Sequence, residues 1–234
     1  MRMRAIIVLL IALAGCGAGV AAQMNEQWHV IKVQWEYDDV GGTSSSGEMT
    51  MTYGLEEFGI IDGESCVDDD CEEFDKGFID NATSKISEMD CDAEEDEKER
   101  DDCNAAITVT ANTVYGLDAI YGWGLFAVLS SIFAIIGISG NKFAGFFTLM
   151  LSLSLLGVAI YHIMTFPELG DYFIGQSENN FEVTEYPGQA TWILGGGGIL
   201  TLIGSVIGFR GGVKNDGYTE PETGGSYYHG DWGS

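Results

Sequence analysis

The sequence predicts a membrane α-helical bundle with a small, disulfide-containing α+β domain on its extracytoplasmic side. Three observations support this fold class. The chain has three long apolar runs in its second half and a shorter one at its start. Residues 23–115 contain 26 Asp or Glu but only five Lys or Arg, which accounts for most of the net charge of −26. Four of the five cysteines also lie in this acidic segment, so an exported domain is predicted beside an almost uncharged bundle.

The three long runs each satisfy the length rule for a membrane crossing, which requires roughly 20 apolar residues for a ~30 Å hydrocarbon core. Three successive helices that are apolar all round would leave no polar face for water, which disfavours a soluble fold. The predicted parts are an N-terminal transmembrane helix or signal peptide at 1–22, an acidic extracytoplasmic domain at 23–116, transmembrane helices at 117–138, 143–166 and 190–209, a short outer loop at 167–189, and a disordered cytoplasmic tail at 210–234.

The first apolar run, residues 1–22, has three interpretations. It is long enough for one more transmembrane helix, which would make four spans. Two arginines, a short apolar core and small residues up to Ala22 are typical of a cleaved secretory signal, which would leave three spans. The sequence Leu13-Ala14-Gly15-Cys16 matches a lipobox, and in that case Cys16 would carry a lipid. All three interpretations place the acidic segment outside.

The basic residues beside the apolar runs predict the orientation. Arg2 and Arg4 precede the first run, Lys142 lies between two spans, and Arg210 and Lys214 follow the last span. Lys and Arg accumulate on the cytoplasmic side of membrane proteins, and one orientation puts all five there. We therefore expect a multi-pass cell-membrane protein in contact with the lipid bilayer, with the acidic domain outside and the C-terminal tail in the cytoplasm.

The four cysteines of the outer segment predict two disulfides, because an even set in an exported domain is typical of such a framework. They are Cys66, Cys71, Cys91 and Cys103. Of the three pairings that four cysteines allow, the sequential one closes the shortest loops and is favoured. An unbroken helix from Cys91 to Cys103 would separate these two by ~18 Å, so this pairing also predicts a break between them.

The outer domain is expected to begin with strands. Residues 27–37 alternate in polarity, and the odd-numbered positions from His29 to Tyr37 form one nearly apolar face, as in a half-buried strand. Residues 48–53 alternate again and are predicted to pair with the first strand as a hairpin. The composition favours helix after Asp80, and residues 107–109 either add a short strand or lead directly into the membrane.

A run of carboxylates in the outer domain suggests a weak divalent-cation site, with calcium as the ion. Its candidate ligands are Asp68, Asp70, Glu72 and Asp75, since calcium is bound by six to eight oxygens from flexible carboxylates. The run does not match an EF-hand loop, because its sixth position lacks glycine. The alternative is a solvated acidic surface, where like charges repel each other and stay exposed.

Polar and small residues in the predicted spans suggest two further roles. His162 and Asp118 lie near the outer ends of their predicted helices. Either water reaches both side chains at the membrane interface, or the two side chains meet and form a proton or ion relay. Gly204 and Gly208 form a small-xxx-small pattern that lets helices approach closely, within the chain or between copies.

The remaining motifs limit the function classes. Asn81 begins a glycosylation sequon on the outer side. The glycine run at 195–198 lacks the Lys-Ser/Thr of a phosphate loop, so we expect no nucleotide site. The strong negative charge argues against nucleic acid. The sequence contains no Ser/His/Asp set and no heme motif, so no enzyme activity and no further cofactor are expected.

The layout resembles the claudin and peripheral-myelin-protein superfamily. That family has four spans, a large first outer loop of strands with a short helix, a small second outer loop, and a loop signature of Trp, Gly-Leu-Trp and two nearby cysteines that form a disulfide. Here Trp28 or Trp35 matches the first Trp, Gly54-Leu55 matches the Gly-Leu, and Cys66 and Cys71 match the cysteines.

The resemblance implies a non-enzymatic role in adhesion, envelope structure or interaction with a protein partner, through self-association or a second protein. Two alternatives follow from the residues themselves. An acidic outer surface gathers cations, which fits a small cation channel or transporter, or an accessory subunit of one. A lipid on Cys16 would make the chain a membrane lipoprotein.

Overall fold

The computed structural model describes residues 2–38, 44–68, 70–93, 97–167 and 181–210. It contains four helices long and apolar enough to cross a membrane, a small antiparallel sheet and two cysteine pairs at disulfide distance, which confirms the fold class at this level. The elements are α1 (Arg2–Gln23), β1 (His29–Asp38), β2 (Ser44–Tyr53), β3 (Glu57–Val67), β4 (Asp70–Glu73), α2 (Lys76–Ala82), β5 (Ser84–Lys85), 3-10 turns at Ile86–Glu88 and Cys91–Ala93, α3 (Glu97–Ile136), α4 (Asn141–Thr165), β6 (Phe181–Pro187) and α5 (Gln189–Phe209). The C-terminal tail beyond Arg210 lies outside the described residues.

The four long helices pack through small residues. The backbones of α4 and α5 are in close contact where Gly145 meets Gly208, and a Cβ on Gly145 would lie 2.9 Å from the backbone nitrogen of Phe209. Further along the same contact, the Ser152 hydroxyl donates to the Gly198 carbonyl over 2.8 Å. Glycine has no side chain to hold two backbones apart, so packing and hydrogen bonds can form directly between helices.

α3 is much longer than a membrane crossing. Its 40 residues extend about 60 Å at 1.5 Å per residue, whereas α4 has 25 residues. Residues 107–109, which the sequence left as strand or connection, are helical. All three residues are β-branched and favour strand, but the preceding Ala106 is buried in the core of the outer domain, and the Thr110 hydroxyl donates to the Ala106 carbonyl four residues earlier. The helix therefore begins 20 residues before Leu117 and projects from the bundle.

The sheet has the order β4-β3-β2-β1-β6, with β5 paired to β3. The predicted hairpin is confirmed, and β2 begins at Ser44 rather than at residue 48. The sequence missed β6, which lies in the predicted outer loop 167–189 and pairs antiparallel with β1 from His29↔Pro187 to Trp35↔Phe181. The two outer segments thus form one sheet.

One face of the sheet packs on the projecting part of α3 and on the 3-10 turns. Its buried core comprises Ile31, Val33, Met51, Tyr53, Ile86 and Ala106. The predicted apolar face of β1 is therefore confirmed at Ile31 and Val33. Trp28 and Val30, on the other alternation, are also buried, and Trp28, which directly precedes β1, packs in the apolar cluster of the long helices.

The sequential cysteine pairs are the ones that the structure brings to disulfide distance. Cys66 and Cys71 are direct partners on β3 and β4, with 4.0 Å between their Cα atoms. Cys91 and Cys103 have Cα atoms 5.7 Å apart. The expected break between the latter pair is present, because Cys91 lies in a 3-10 turn and α3 begins at Glu97.

Candidate interaction surface

The solvent-facing side of the sheet carries a row of acidic side chains. The register aligns Glu182, Gln34, Glu48, Glu64 and Glu73 across β6, β1, β2, β3 and β4. Cross-strand partners point to the same face, so four carboxylates and one amide form a line across five strands. Glu48 opposes Glu64, and Glu64 opposes Glu73. Like charges directly opposite each other destabilise a sheet, so the fold itself does not account for this row.

Glu48 is the carboxylate of this row that contacts a cationic side chain within the described residues. Its Oε2 lies 2.8 Å from Lys32 Nζ and accepts a hydrogen bond from Gln34 Nε2 over 3.0 Å. The Lys32 contact, followed by the Gln34 bond, lowers the pKa of Glu48, and the same contact raises the pKa of Lys32. A concavity of about 770 Å³ lies on this face, lined by Glu48, Glu64 and Glu182 among others. The surface is therefore both acidic and concave.

Trp28 joins this sheet to the bundle. Its backbone N–H donates to the Tyr53 carbonyl over 3.1 Å, and its carbonyl accepts from the Gly188 N–H over 2.9 Å. Its side chain is 0 % exposed and belongs to the apolar cluster of the long helices. Gly188 is required for this approach, because a Cβ there would overlap the Gln27 carbonyl oxygen. The start of β1 is thus fixed between β2 and α5.

Aromatic rings and a histidine continue the junction. His29 Nε2 lies 3.0 Å from Glu185 Oε2 on β6, and a protonated Nε2 donates to this carboxylate. The His29 ring stacks on Phe166 at a centroid distance of 4.3 Å. Phe166 in turn lies 5.0 Å from the rings of both Tyr53 and His162. These contacts connect both outer segments to the end of α4.

The expectation that water reaches His162 is wrong. Its side chain is 0 % exposed, because the rings of Trp28 and Phe166 pack over it. Thr113 donates its hydroxyl proton to the Val109 carbonyl over 2.8 Å, and the same hydroxyl oxygen lies 3.2 Å from His162 Nδ1, within hydrogen-bond distance. His162 Nε2 and Trp28 Nε1 have no hydrogen-bond partner among the described residues.

Asp118 does not share this environment. The Asp118 side chain is exposed on α3. His162 of α4 is enclosed, and its hydrogen-bond partner on α3 is Thr113, which lies five residues before Asp118. The described residues therefore do not show the relay in which Asp118 and His162 meet.

Two of the four candidate calcium ligands, Asp68 and Asp75, accept backbone hydrogen bonds, whereas Asp70 and Glu72 are exposed. Asp68 is in a left-handed turn (φ 54°), and its Oδ1 accepts from the Ser44 N–H over 3.0 Å. Asp75 caps α2 by accepting from the Phe78 N–H over 2.7 Å. Asp70 and Glu72 are exposed on β4. Within the described ranges no group of three or more His, Cys, Asp or Glu side chains is placed to hold a metal ion, and Asp69 lies outside those ranges.

The remaining predicted residues have separate locations. Cys16 lies within the unbroken helix α1 and faces Gly124 of α3, where a Cβ would overlap its sulfur. Gly204 contacts α1, and Gly208 contacts α4, so the two glycines serve different helix pairs. Asn81 lies on α2 in the outer domain.

Comparison with known proteins finds no matching family model and no matching curated protein. The acidic row itself was missed by sequence reasoning, because its members are scattered from residue 34 to residue 182. One signal was present. Residues 181–184 alternate apolar and polar, and the segment ends in Pro187, which is typical of an edge strand.

Proposed function

We propose that this chain is a non-enzymatic, multi-pass cell-membrane protein that presents the acidic face of its sheet outside the cell as a contact surface for a protein partner. The observation that carries the proposal is the acidic row across five strands. The opposite face of the sheet forms the core of the domain. On the acidic face, like-charged side chains lie opposite each other on neighbouring strands, which lowers the stability of the sheet. A binding surface accounts for such charge, since electrostatic complementarity guides association and selects partners.

The proposed orientation has support at the far end of the bundle. Arg4 donates from its guanidinium to the Arg210 carbonyl over 3.1 Å, so the start of α1 and the end of α5 meet there. Lys142 lies in the first turn of α4, next to the short connection from α3. The cytoplasmic preference of Lys and Arg puts this end inside and the sheet outside.

A retained first helix fits the packing better than a cleaved or acylated one. The residues of α1 that precede Cys16 include Ala5, Val8 and Ala12, each 0 % exposed inside the bundle. A Cβ on Gly204 of α5 would lie 2.6 Å from Ile11, so α5 is shaped to fit α1. Removal of α1 would uncover this surface. We therefore propose four spans and no lipid on Cys16.

A likeness to the claudin and peripheral-myelin-protein superfamily is also proposed. Of the two tryptophans that could match the first Trp of the signature, we favour Trp28 over Trp35, because Trp28 anchors the sheet in the bundle. Leu55, the Leu of the Gly-Leu pair, packs against the same apolar cluster. Cys66 and Cys71 join neighbouring strands. This likeness favours contact between cells or envelope layers, or regulation of a partner protein.

A basic partner suits the surface better than a second copy does. Self-contact through this face would bring two acidic rows together, which costs free energy through like-charge repulsion. The cation-channel alternative uses the same row to gather ions. However, the buried polar side chains of the described bundle are Ser, Thr and His, without a buried carboxylate to bind a cation between the helices.

Charge reversal tests the proposal. Glu64→Lys with Glu182→Lys alters the sheet face, and Glu97→Lys with Asp101→Lys makes the same charge change on the exposed start of α3. Partners would be cross-linked on intact cells of the source organism and mapped by mass spectrometry. We expect cross-links on the sheet face that weaken with salt, vanish in the first variant and persist in the second.

Two results would decide against this function. Equal partner capture by both variants means that the sheet face is not the contact surface. Sodium flux through liposomes that contain only this chain, reduced by the Glu64 and Glu182 reversals, would instead favour the channel.

A further inference from the structure

An apolar groove of about 430 Å³ lies where the outer domain meets the bundle. It is formed by the turn before β3, the segment after β5, and α3. Its apolar lining comprises Leu55, Ile86, Ile107, Ala111 and Val114, with Lys85 at the rim. An exposed apolar groove in a domain that carries so much charge marks a site for an occupant whose surface is also apolar.

Contacts between helices give the height of this groove. Thr113 on α3 bonds to His162 on α4, and α4 ends three residues later at Thr165. The helices run antiparallel, so the end of α4 is level with about residue 110 of α3. Ile163 and Met164, at that end, are 44 % and 78 % exposed. Large exposed apolar side chains at this level indicate that lipid reaches it.

The groove therefore spans the level at which the lipid chains end. Ala111 and Val114 lie below the end of α4, and the exposed Val114 and Ile132 are about five helical turns apart, which puts them on the same face of α3. Ile107 lies above it, at the height of a headgroup. The exposed Tyr115 ring is placed as expected for the membrane interface. The apolar lining is thus continuous with the surface that would face lipid.

We propose that this groove binds one phospholipid of the outer leaflet, with an acyl chain along Ala111 and Val114 and a zwitterionic headgroup at Lys85, Glu56 and Glu57. The inference rests on the membrane topology proposed above. The occupant is a lipid rather than a protein segment because the groove opens towards the bilayer and is continuous with the lipid-facing side of α3.

The rim charges favour a headgroup that carries both signs. Lys85 opposes Glu57 across β5 and β3, and Glu56 lies beside it. The ion pair of Lys85 with Glu88 is long at 3.9 Å, and the Lys85 side chain is 61 % exposed. The ammonium group can therefore donate to a lipid phosphate, while the two carboxylates accept from a headgroup amine.

The test uses the full chain in nanodiscs of phosphatidylethanolamine and phosphatidylglycerol at 3:1, followed by mild extraction and native mass spectrometry. We expect wild type to keep one phosphatidylethanolamine. Ala111→Trp fills the groove and should lower the lipid-bound fraction at least tenfold. Ala119→Trp is the matched control, exposed on the same helix below the groove, and should keep the lipid.

Equal loss in both tryptophan variants, or no retained lipid in wild type, would overturn the site. Glu56→Gln with Glu57→Gln should abolish the preference for phosphatidylethanolamine but leave a lipid bound. Preferential retention of phosphatidylglycerol by wild type would overturn the headgroup assignment.

A measurement on wild type alone covers the case in which Ala111→Trp does not fold. Phosphatidylethanolamine with a diazirine in its acyl chain should cross-link mainly to residues 107–114 of α3. Even cross-linking around all four long helices would refute the groove. A chain that fails to insert into nanodiscs at all would contradict the proposed function, whereas insertion without a retained lipid contradicts only this inference.

Discussion

Replacement of Trp28 tests the junction between the sheet and the bundle. Its indole is 0 % exposed and packs in one cluster with Leu117, Leu155 and Leu194. A buried aromatic side chain removes about 150–250 Å² from solvent, and at ~25 cal/mol per Å² this area contributes about 4–6 kcal/mol. We expect Trp28→Ala to lower the free energy of unfolding by about 3–5 kcal/mol, as is usual for deletion of a buried aromatic ring.

Trp28→Phe separates packing from hydrogen bonding. The indole N–H has no partner among the described residues, and burial of an unpaired donor costs about 1–3 kcal/mol. Phenylalanine removes this donor but leaves a small cavity with a cost of comparable size, about 1 kcal/mol. The two effects oppose each other, so this variant should lie within about 1 kcal/mol of wild type.

Thermal unfolding in detergent provides the measurement. Each kcal/mol shifts Tm by about 2–4 °C in a chain of this size, so Trp28→Ala should lower Tm by about 6–20 °C. Trp192 is 68 % exposed, and Trp192→Ala should change Tm by less than about 2 °C. Equal shifts at the two sites would refute the burial of Trp28. A Trp28→Phe variant as unstable as Trp28→Ala would refute the expected balance between removal of the unpaired donor and the cost of the cavity.

Three further predictions concern other parts of the molecule. Gly145→Ala should cost about 1–3 kcal/mol through overpacking of two helices, whereas Gly157→Ala, which has open space around it, should not lower Tm in the same assay. Alkylation of the denatured, unreduced chain should modify one thiol, Cys16, and alkylation after reduction should modify all five cysteines; an intact mass with more than one label before reduction would contradict the two pairs. The Lys32 contact lowers the pKa of Glu48, so its stabilising effect is present above the ordinary carboxyl pKa of 4.5 and is lost as the pH falls through the lower folded value; carbon-13 NMR of the Glu48 carboxyl should show a midpoint below 4.5 that rises in Lys32→Gln.

The helices and the first hairpin were predictable because their signals are local. A run of about 20 apolar residues has the length of a helical crossing whatever surrounds it. Alternation in residues 27–37 requires only that neighbouring side chains point to opposite faces, and the hairpin with β2 follows from proximity along the chain. The cysteine pairs also closed the shortest loops.

Other features depended on contacts between distant residues. The pairing of β6 with β1 joins positions about 150 residues apart, which no local pattern encodes. His162 lies near a helix end and looked accessible, but Trp28 from the other end of the chain covers it. The β-branched residues 107–109 favour strand locally, but they lie in α3, where Ala106 and Ile107 pack in the core beneath the sheet.

The sequence alone determined that the chain forms three long apolar helices, with a further apolar run at its start, beside an acidic, cysteine-bearing domain that contains strands, because length, composition and alternation act on each segment separately. Only the tertiary structure decided which acidic residues share a face and which apolar residues line a groove. Both depend on strand register and helix height. A shift of one residue in register moves every side chain of a strand to the opposite face, so register is determined by packing across the whole sheet.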